Sequence, residues 1–523
     1  LCAFAGARFY HSAAIGIDRV NREVLCANRP PVPYDLLSIN TGATPNLQAL
    51  ADDHRLAIPV KPITQFNQRW LDLLARVKQL PRQRGQLTIA VVGGGAGGLE
   101  LATRLGRTYG RRKRANITLI DKNRTHIWKP KLHEIASGSM NLGDHEVDYM
   151  AQAHWNHFTF RIGELKGLDR DNKTVELAPY VDEQGRAVTP TQYIDYDTLV
   201  ICIGSLSNDF GTQGVKAHAL KLETQHDAKS FHSRMVNACI RAHNQTAVIH
   251  KRQLHVAIIG AGATGVELAA ELHRTTREVV AFGLDRIDVD KDIKVSLIEA
   301  ADRILPALVP RLSKATEQLL SRLGVQVLTS SKVMEVLPTG IRLADGREIE
   351  SELVVWAAGV KAPDFLKDFS GLETNRINQL VVHDTLQTTR DADIFALGDC
   401  AACPCADADG GRGGIVPPRA QAAHQQAEHM WRQIHRRLAN KPLKPYRYRD
   451  FGSLVSLGKF TTVGNMMGGL VGKSLMIEGY FAKLMYLSLY KLHELAIHGF
   501  LKTTLFTVAR MITKQTNPTV KLH

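Results

Sequence analysis

The sequence has few cysteines, and their spacing is not that of a disulfide framework. Seven cysteines are distributed over 523 residues, which indicates a reducing, cytosolic compartment rather than a disulfide-stabilised secreted domain. No run of about 18 uncharged apolar residues occurs, so we expect neither a secretory leader nor a membrane-spanning helix. The chain begins with Leu1 rather than Met, and we therefore expect the natural N-terminus to lie further upstream.

Acidic residues are scarce at the C-terminal end. The net charge of the chain is +15, and residues 432–523 contain 15 Lys and Arg but only three acids, so +12 of that charge lies there. The three acids are Asp450, Glu478 and Glu494. A basic end of this kind can meet nucleic acid or anionic lipid, and charge alone does not choose between them.

Length and composition indicate two or three folded domains. A chain of 523 residues is longer than one hydrophobic core usually serves. With 44% hydrophobic and 22% charged residues, and without a low-complexity tract, the composition is typical of a globular protein. Disordered and collagen-like classes are thereby excluded.

Two segments share one pattern of an apolar strand, a glycine-rich turn and a helix. They are QLTIAVVGGGAGGLELATRL (residues 86–105) and QLHVAIIGAGATGVELAAEL (residues 253–272). Each is followed by a strand that ends in an acid, ITLID (residues 117–121) and VSLIE (residues 295–299). The pattern predicts two βαβ dinucleotide-binding folds of parallel sheets.

The glycine loops are candidate phosphate sites, because glycines let the backbone approach a pyrophosphate at a helix N-terminus. The alternative for such a loop is a turn that serves packing only. The candidate glycines are Gly93, Gly95 and Gly98 in the first loop and Gly260, Gly262 and Gly265 in the second. Asp121 and Glu299 follow as candidate ribose acids, and Glu299 would repel a 2′-phosphate, which favours NADH over NADPH.

A third element indicates which nucleotide is a flavin. The strand IFALGDC (residues 394–400) ends in Gly398 and Asp399, whose carboxylate is suited to the ribityl chain of a flavin. Taken alone, Asp399 is better explained as a helix N-cap, and the two βαβ folds upstream favour the flavin. The phrases DTLVICIG and ELVVWAAG end at Gly204 and Gly359. These two strands carry the chain between the domains, and their glycines are further candidate cofactor contacts.

The first 87 residues contain a partial third copy. DRVNREV (residues 18–24) and YDLLSINTGATPN (residues 34–46) echo DRDNKTV (residues 169–175) and YDTLVICIGSLSN (residues 196–208). The copy has no glycine loop of its own. We therefore interpret it as an incomplete duplicate or a fusion, and assign it no chemistry.

From residue 88 to 523 the chain resembles bacterial type II, non-proton-pumping NADH:quinone oxidoreductases, flavoproteins with two Rossmann domains. The matching phrases are VVGGGAGGLELATRL, DKNRTHIWKPKLHEIASGS, IIGAGATGVELAAEL, AAGVKAPDFL, LGDCAAC and PPRAQAAHQQA. Residues 1–87 are more similar to the flavoprotein region attached to some selenide, water dikinases. The resemblance implies FAD on the first loop, Asp121 and Asp399, and NADH on the second loop and Glu299. It also implies that Lys129 and Pro130 lie beside the isoalloxazine ring.

The same resemblance implies roles for three further side chains. Glu267 would take part in proton delivery or hydride geometry, although a first-turn acid also complements the helix dipole. Gln421 and Gln425 share one helix face and match the family's quinone-site pattern; the alternative is a solvated face. From its position before Gln425 alone, His424 is suited to supply a proton, although such a residue is more typical of a buried structural histidine.

The C-terminal segment from residue 478 to 510 carries apolar residues at helical spacing. An amphipathic helix with a basic face fits a segment that lies in a lipid interface, and its alternative is a helix packed on the core. We expect a membrane quinone and an anionic lipid surface as partners, no nucleic acid, and a peripheral location on the cytoplasmic face of the bacterial inner membrane. A homodimer is left open.

Two rival functions remain at this point. A soluble FAD-dependent reductase of another acceptor would work without quinone, and a non-catalytic flavoprotein redox sensor would bind FAD without oxidising NADH. No cysteine pair follows the first βαβ unit, which argues against a dithiol relay. Cys400, Cys403 and Cys405 lack a fourth nearby ligand, so we expect no metal.

The sequence thus predicts an α/β protein with two Rossmann-like domains and a helical, amphipathic C-terminal region. The expected boundaries are a partial duplicate at 1–87, the FAD domain at 88–250 and 376–440, the NADH domain at 251–375 and the membrane-associating region at 441–523.

Overall fold

A computed structural model describes residues 10, 12–37, 39, 86–141, 143, 145–405, 414–457, 462–466, 475–513 and 520. The chain separates into two compact units, Leu1–Arg84 and Gly85–His523. Most of the predicted partial copy after residue 39, including Gly42, lies outside the described residues.

The first unit contains a three-stranded antiparallel sheet with the strands Ala14–Asp18, Glu23–Cys26 and Val32–Pro33. Its first turn repeats that of the hairpin Leu165–Asp169 and Thr174–Leu177 in the second unit. Asp18 accepts hydrogen bonds from the backbone and side chain of Asn21, as Asp169 does from Asn172. Arg22 and Lys173, the next residues, have φ values of 54° and 51°. The two segments with similar sequences therefore also form the same turn.

A six-stranded sheet forms the core of the predicted FAD domain. Its strands, in spatial order, are Gln387–Thr388, Asp391–Ala396, Thr198–Ile201, Leu87–Val92, Ala115–Asp121 and Thr159–Ile162. All neighbours pair in parallel except the edge strand Gln387–Thr388. The central strand is buried on both sides from Ile89 to Val92, as expected of a parallel sheet covered by other elements on both faces.

The predicted NADH domain has a second parallel sheet of five strands. In spatial order they are Leu220–Lys221, Leu353–Trp356, His255–Ile259, Lys294–Ile298 and Val325–Leu328. The two sheets together confirm the predicted α/β class with two dinucleotide-binding folds.

The helices connect and flank these sheets. The α-helices are Ala96–Leu105, Leu132–Ala136, Tyr149–Asn156, Val215–His218, Gln225–Asn244, Ala263–Ala281, Pro310–Arg322, Ala420–Leu438, Tyr480–His498 and Phe500–Thr513. The smaller sheets contain the strands Thr125–His126, Val147–Asp148, Leu165–Asp169, Thr174–Leu177, Gln192–Asp195, Leu206–Ser207, Val333–Leu337, Gly340–Leu343, Glu348–Glu350, Val360–Lys361, Leu380–Val381 and Ala401–Ala402.

The C-terminal region is not purely helical, and the sequence prediction was incomplete in this respect. It contains a three-stranded antiparallel sheet, Ser453–Ser456, Thr462–Met466 and Leu475–Glu478, before the helices Tyr480–His498 and Phe500–Thr513. The first of these helices packs on the domain of the six-stranded sheet, where Arg107 and Gln152 donate hydrogen bonds of 2.6 and 2.9 Å to the carbonyl of Ile497. These bonds satisfy a carbonyl at the helix end that has no partner within the helix.

Candidate cofactor and acceptor sites

The three glycines of the first loop have three different physical roles. Gly93 has φ +104°, and a Cβ there would lie 2.4 Å from the carbonyl oxygen of Cys202. A Cβ on Gly98 would lie 1.8 Å from the carbonyl oxygen of Gly93, so this glycine is required for close packing of helix on strand. Gly95 is exposed, and the nearest atom to its Cβ would be 4.0 Å away. The space over Gly95 therefore fits an incoming pyrophosphate.

The second loop repeats this division. Gly260 has φ +101°, and a Cβ on Gly265 would lie 2.0 Å from the carbonyl oxygen of Gly260. Gly262 is exposed, with nothing within 4 Å of a Cβ. Both loops are thus shaped for a dinucleotide by constraints internal to the protein.

Asp121 and Glu299 hold these loops in place. Asp121 accepts hydrogen bonds from the backbone N–H groups of Gly94 and Asn123, at 2.6 and 2.8 Å. Glu299 accepts from Ala261 and Ala301, at 2.7 and 2.9 Å. Burial raises the pKa of Asp121, and the hydrogen bonds from Asn123 and Gly94 oppose that rise. Each carboxylate lies where the adjoining strand ends, the position from which an acid contacts a ribose.

Lys129 and Asp399 lie far apart in sequence but meet at the carboxyl edge of the first sheet. The Lys129 ammonium donates to the carbonyl of Ser205 at 2.5 Å, and the Ser205 hydroxyl donates to Asp399 at 2.7 Å. Pro130 follows Lys129 and is exposed. Asp399 lies in a 3₁₀ turn, Gly398–Cys400, rather than at the start of an α-helix. The side chain of Gln426 fixes this turn by accepting from the N–H of Gly398 at 2.7 Å.

The glycines after the two connecting strands also adopt positive φ. Gly204 has φ +77°, with open space at its Cβ position, whereas Gly359 has φ +66° and a Cβ there would contact the ring of Phe210 at 2.4 Å. Gly204 leads directly to Ser205, so it lies at the edge where Lys129 and Asp399 meet. Neither glycine tolerates a side chain without strain in this backbone conformation.

Glu267 is buried at the second glycine-loop helix, where it is 6% exposed. It accepts a hydrogen bond from the backbone N–H of Ser456 at 3.0 Å, and Nδ1 of His133 lies 3.4 Å from its other oxygen. Burial raises the pKa of Glu267 to about 7, and His133 and the Ser456 N–H only partly oppose this effect. A carboxyl with this pKa gains and releases a proton near neutral pH, which a helix-dipole acid does not need to do.

The two predicted acceptor glutamines have different surroundings. Gln425 exchanges two hydrogen bonds with the backbone of Arg449, donating at 2.8 Å and accepting at 3.1 Å. Gln421 accepts one long hydrogen bond from Tyr448, at 3.4 Å. Its buried amide nitrogen has no hydrogen-bond partner among the described residues. Gln421 is therefore the better suited of the two to donate to a bound carbonyl.

Glu100, His493 and His126, which sequence reasoning missed, connect the first glycine-loop helix to the C-terminal helix. Glu100 is 1% exposed and lies 2.5 Å from Nδ1 of His424 and 2.7 Å from Nδ1 of His493. Nε2 of His493 lies 2.9 Å from Nε2 of His126. A signal existed, because Glu100 and Glu267 occupy the same position in the two repeated loops. Ser205, Gln426 and Ser456 had no such signal, since their contacts are with distant loops.

In the part of the chain that the structure describes, no group of three or more His, Cys, Asp or Glu side chains is arranged to hold a metal ion. Cys400 and Cys403 are buried, and burial raises the pKa of each thiol to about 12. Neither thiol is therefore a ready thiolate nucleophile at neutral pH.

Comparison with known proteins places this geometry among flavoenzymes. Residues 87–427 match the family described as pyridine nucleotide-disulphide oxidoreductase. A type II NADH:quinone oxidoreductase of Haemophilus influenzae is 41% identical over 83% of the chain and 99% of that protein. One from Staphylococcus aureus is 29% identical over 73% of the chain and 90% of that protein.

Among solved structures, NDH2 from Plasmodium falciparum in complex with NADH superposes with a TM-score of 0.70. It covers 83% of this chain and all of that one at 18% identity. The sulfide:quinone oxidoreductase of Aquifex aeolicus gives a TM-score of 0.61 at 17% identity, covering 83% of this chain and 96% of that one. At such low identity these two structures show a shared fold.

Proposed function

The chain belongs to the type II NADH:quinone oxidoreductases, and from this membership we propose that it oxidises NADH through bound FAD and reduces a quinone. The main structural support for the proposal is that two glycine loops with the same geometry occur in the unit Gly85–His523. Each loop leaves room at its middle glycine and is held by an acid at a strand end. Two dinucleotides in one protein imply a hydride that passes between them.

The first loop and the edge beside Asp399 fit FAD. Gly93, Gly95 and Gly98 would receive the pyrophosphate, Asp121 the ribose and Asp399 the ribityl chain. When bound, FAD accepts a hydride and releases two electrons to the acceptor. Lys129 would hold positive charge beside the ring, which favours an anionic form by Coulomb attraction.

The second loop would bind NADH, with Gly260, Gly262, Gly265 and Gly359 close to the dinucleotide and Glu299 at the ribose. Glu267 extends from the same helix toward His133, which lies three residues after Pro130 in the segment assigned to the flavin ring. Since the pKa of Glu267 is about 7, we assign it a proton at the junction of the two domains rather than a role in the helix dipole alone.

The acceptor would lie against the helix Ala420–Leu438. The amide N–H of Gln421, which has no partner in the part of the chain that the structure describes, would donate to a quinone carbonyl. Gln425 would act indirectly, since its amide holds the backbone of Arg449 in place.

We further infer that the two C-terminal helices hold the enzyme on a membrane surface. Their outer side is apolar, because Leu492 is 49%, Phe500 77% and Leu501 72% exposed. The charge of Glu494 is turned inward, because Glu494 is buried and forms ion pairs with Lys491 and Arg510. An outward apolar face on a basic region fits an interfacial helix pair on anionic lipid.

None of the described helices is long and apolar enough to cross a bilayer. The enzyme would therefore be peripheral, and we place it on the cytoplasmic face of the bacterial inner membrane. A homodimer remains a prediction.

The experiment that tests the function follows flavin absorbance in the purified protein. We expect a yellow protein that NADH bleaches and a soluble quinone analogue restores. Gln421→Leu removes one hydrogen bond and should slow the restoring step about 10-fold while bleaching by NADH is unchanged. A protein that NADH bleaches but quinone does not restore would indicate a reductase of another acceptor, and one that NADH does not bleach would indicate a redox sensor.

A further inference from the structure

The buried carboxylate of Glu100 contacts two imidazoles that come from different parts of the chain. His424 lies on the helix Ala420–Leu438, three residues after Gln421, and His493 lies on the C-terminal helix Tyr480–His498. The two contacts are 2.5 and 2.7 Å long and use different oxygens of Glu100. Both oxygens of the carboxylate are thereby committed to histidines.

The contacts continue from Glu100 through His493 and His126 to the backbone carbonyl of Gly94. The donor and acceptor of each hydrogen bond can be assigned from that carbonyl. The carbonyl of Gly94, 2.9 Å from Nδ1 of His126, can only accept, so His126 must donate from Nδ1. Burial lowers the pKa of His126 to about 3, so this ring is neutral and its Nε2 must accept from His493. His493 therefore donates from Nε2 to His126, and its Nδ1 faces the Glu100 carboxylate.

The same contacts favour the protonated form of His424. The hydrogen bond to Glu100 raises the pKa of His424, although burial opposes it. Burial opposes the ionisation of Glu100, but the hydrogen bonds from His424 and His493 outweigh it and hold the pKa of the carboxyl below its ordinary value. The other charged groups that face His424 are Arg104 and Glu428.

His424 is also open on its other side. Its side chain is 31% exposed, and Nε2 has no hydrogen-bond partner among the described residues. Residues three apart on a helix are neighbours, so His424 lies on the helix face that also carries Gln421.

We propose that Glu100 is a positioning residue that orients His424, so that His424 gives the proton of its Nε2 to the acceptor bound beside Gln421. The proposal rests on the quinone reductase function. In this step the N–H bond of His424 breaks as an O–H bond forms on an acceptor that takes two electrons from the reduced flavin. The second proton comes from water, and His424 regains its proton from water at the exposed Nε2.

The arrangement gives the C-terminal helix a part in acceptor chemistry. His493 fixes the orientation of Glu100, and it does so only while the helix Tyr480–His498 is packed on the FAD domain. Glu100 would thus orient His424 and stabilise its imidazolium form, as the carboxylate of a catalytic triad does for its histidine.

The test compares Glu100→Gln with wild type in stopped-flow measurements of the two half-reactions. Gln retains hydrogen-bonding capacity but cannot stabilise an imidazolium by charge. We expect unchanged bleaching by NADH, restoration by quinone about 10-fold slower, and a pH profile of restoration displaced to lower pH. Restoration by ferricyanide, which takes up no proton, should be unchanged.

A control variant and a second variant complete the test. Glu428→Gln removes a charge that faces His424 but leaves Glu100 in place, and it should leave the quinone rate within about 2-fold of wild type. His424→Gln changes a part-exposed residue and should slow quinone restoration as much as Glu100→Gln. The double variant should be no slower than either single variant.

The outcomes separate the two proposals. If wild type is not restored by quinone, the proposed function fails. If wild type is restored and either single variant matches it with quinone, or is equally slow with ferricyanide, the role of Glu100 and His424 is refuted. Should Glu100→Gln not retain flavin, the comparison of His424→Gln with quinone and ferricyanide decides alone.

Discussion

Replacing Glu267 by Gln should make the protein more stable at alkaline pH. The folded protein raises the pKa of this carboxyl from 4.5 to about 7 because it is buried. The unfolded chain therefore ionises Glu267 from about pH 4.5, whereas the folded protein does so only near pH 7. The free energy of unfolding falls across this interval and stays lower above it, by about 3 kcal/mol. Gln cannot ionise, yet its carbonyl can still accept from the N–H of Ser456.

The assay is thermal unfolding of wild type and variant across pH. The difference in Tm should be near zero at about pH 4 and reach about 5 °C in favour of Glu267→Gln at about pH 8. Glu271→Gln is the matched control, one turn further along the same helix and equally buried. Glu271 is paired with Arg274 at 2.7 Å, so its replacement should bring no gain at high pH.

The same variant also tests the role of Glu267 in the reaction. If this carboxyl holds a proton at the domain junction, Glu267→Gln should slow the bleaching of the flavin by NADH about 10-fold or more. A residue that lowers stability and raises activity is expected at a functional site. Equal Tm values at every pH would show that the pKa of Glu267 is not raised, and an unchanged bleaching rate would remove it from the chemistry.

Two further predictions concern the first loop and the C-terminal helices. Gly95→Ala should leave the Tm of the flavin-free protein within about 2 °C of wild type but weaken FAD binding at least about 10-fold, because only the pyrophosphate needs that space. Gly98→Ala should weaken FAD binding and also destabilise the apoprotein by about 2 kcal/mol. Equal stability of the two variants would contradict this division of roles. Leu492→Asp combined with Leu505→Asp should reduce co-sedimentation with anionic lipid vesicles at least about 10-fold and leave ferricyanide reduction unchanged. Val248→Asp, at an exposed apolar residue outside the two helices, should bind vesicles like wild type; loss in both variants would argue against a membrane face.

The fold was predictable where the constraint is local. The glycines at positions 93, 98, 260 and 265 are dictated by a positive φ or by a backbone atom within about 2 Å of a Cβ. Such constraints act over a few residues and therefore leave a readable motif. The three-stranded sheet between residues 453 and 478 was not predicted, since short antiparallel strands carry a weaker pattern.

Contacts between distant segments were predictable only in part. The resemblance placed Lys129 and Asp399 near one cofactor, but their bridge through Ser205 depends on how three loops converge at a sheet edge. Gln425 was expected to face the acceptor, yet it pairs with the backbone of Arg449. A hydrogen bond between a side chain and a distant backbone group leaves no periodic pattern in the sequence, so it cannot be predicted from the sequence.

Glu100 and Glu267 show why a sequence repeat predicts the position of a side chain but not its pKa. Glu100 and Glu267 stand at the same place after their glycine loops, and both are buried. Burial alone would raise both pKa values. Two imidazoles within 2.7 Å reverse that effect at Glu100, whereas one imidazole at 3.4 Å and one N–H do not reverse it at Glu267. One of the two imidazoles at Glu100 comes from the C-terminal helix. Removing that imidazole while leaving the helix in place, by His493→Leu, should therefore bring the pKa of Glu100 closer to that of Glu267.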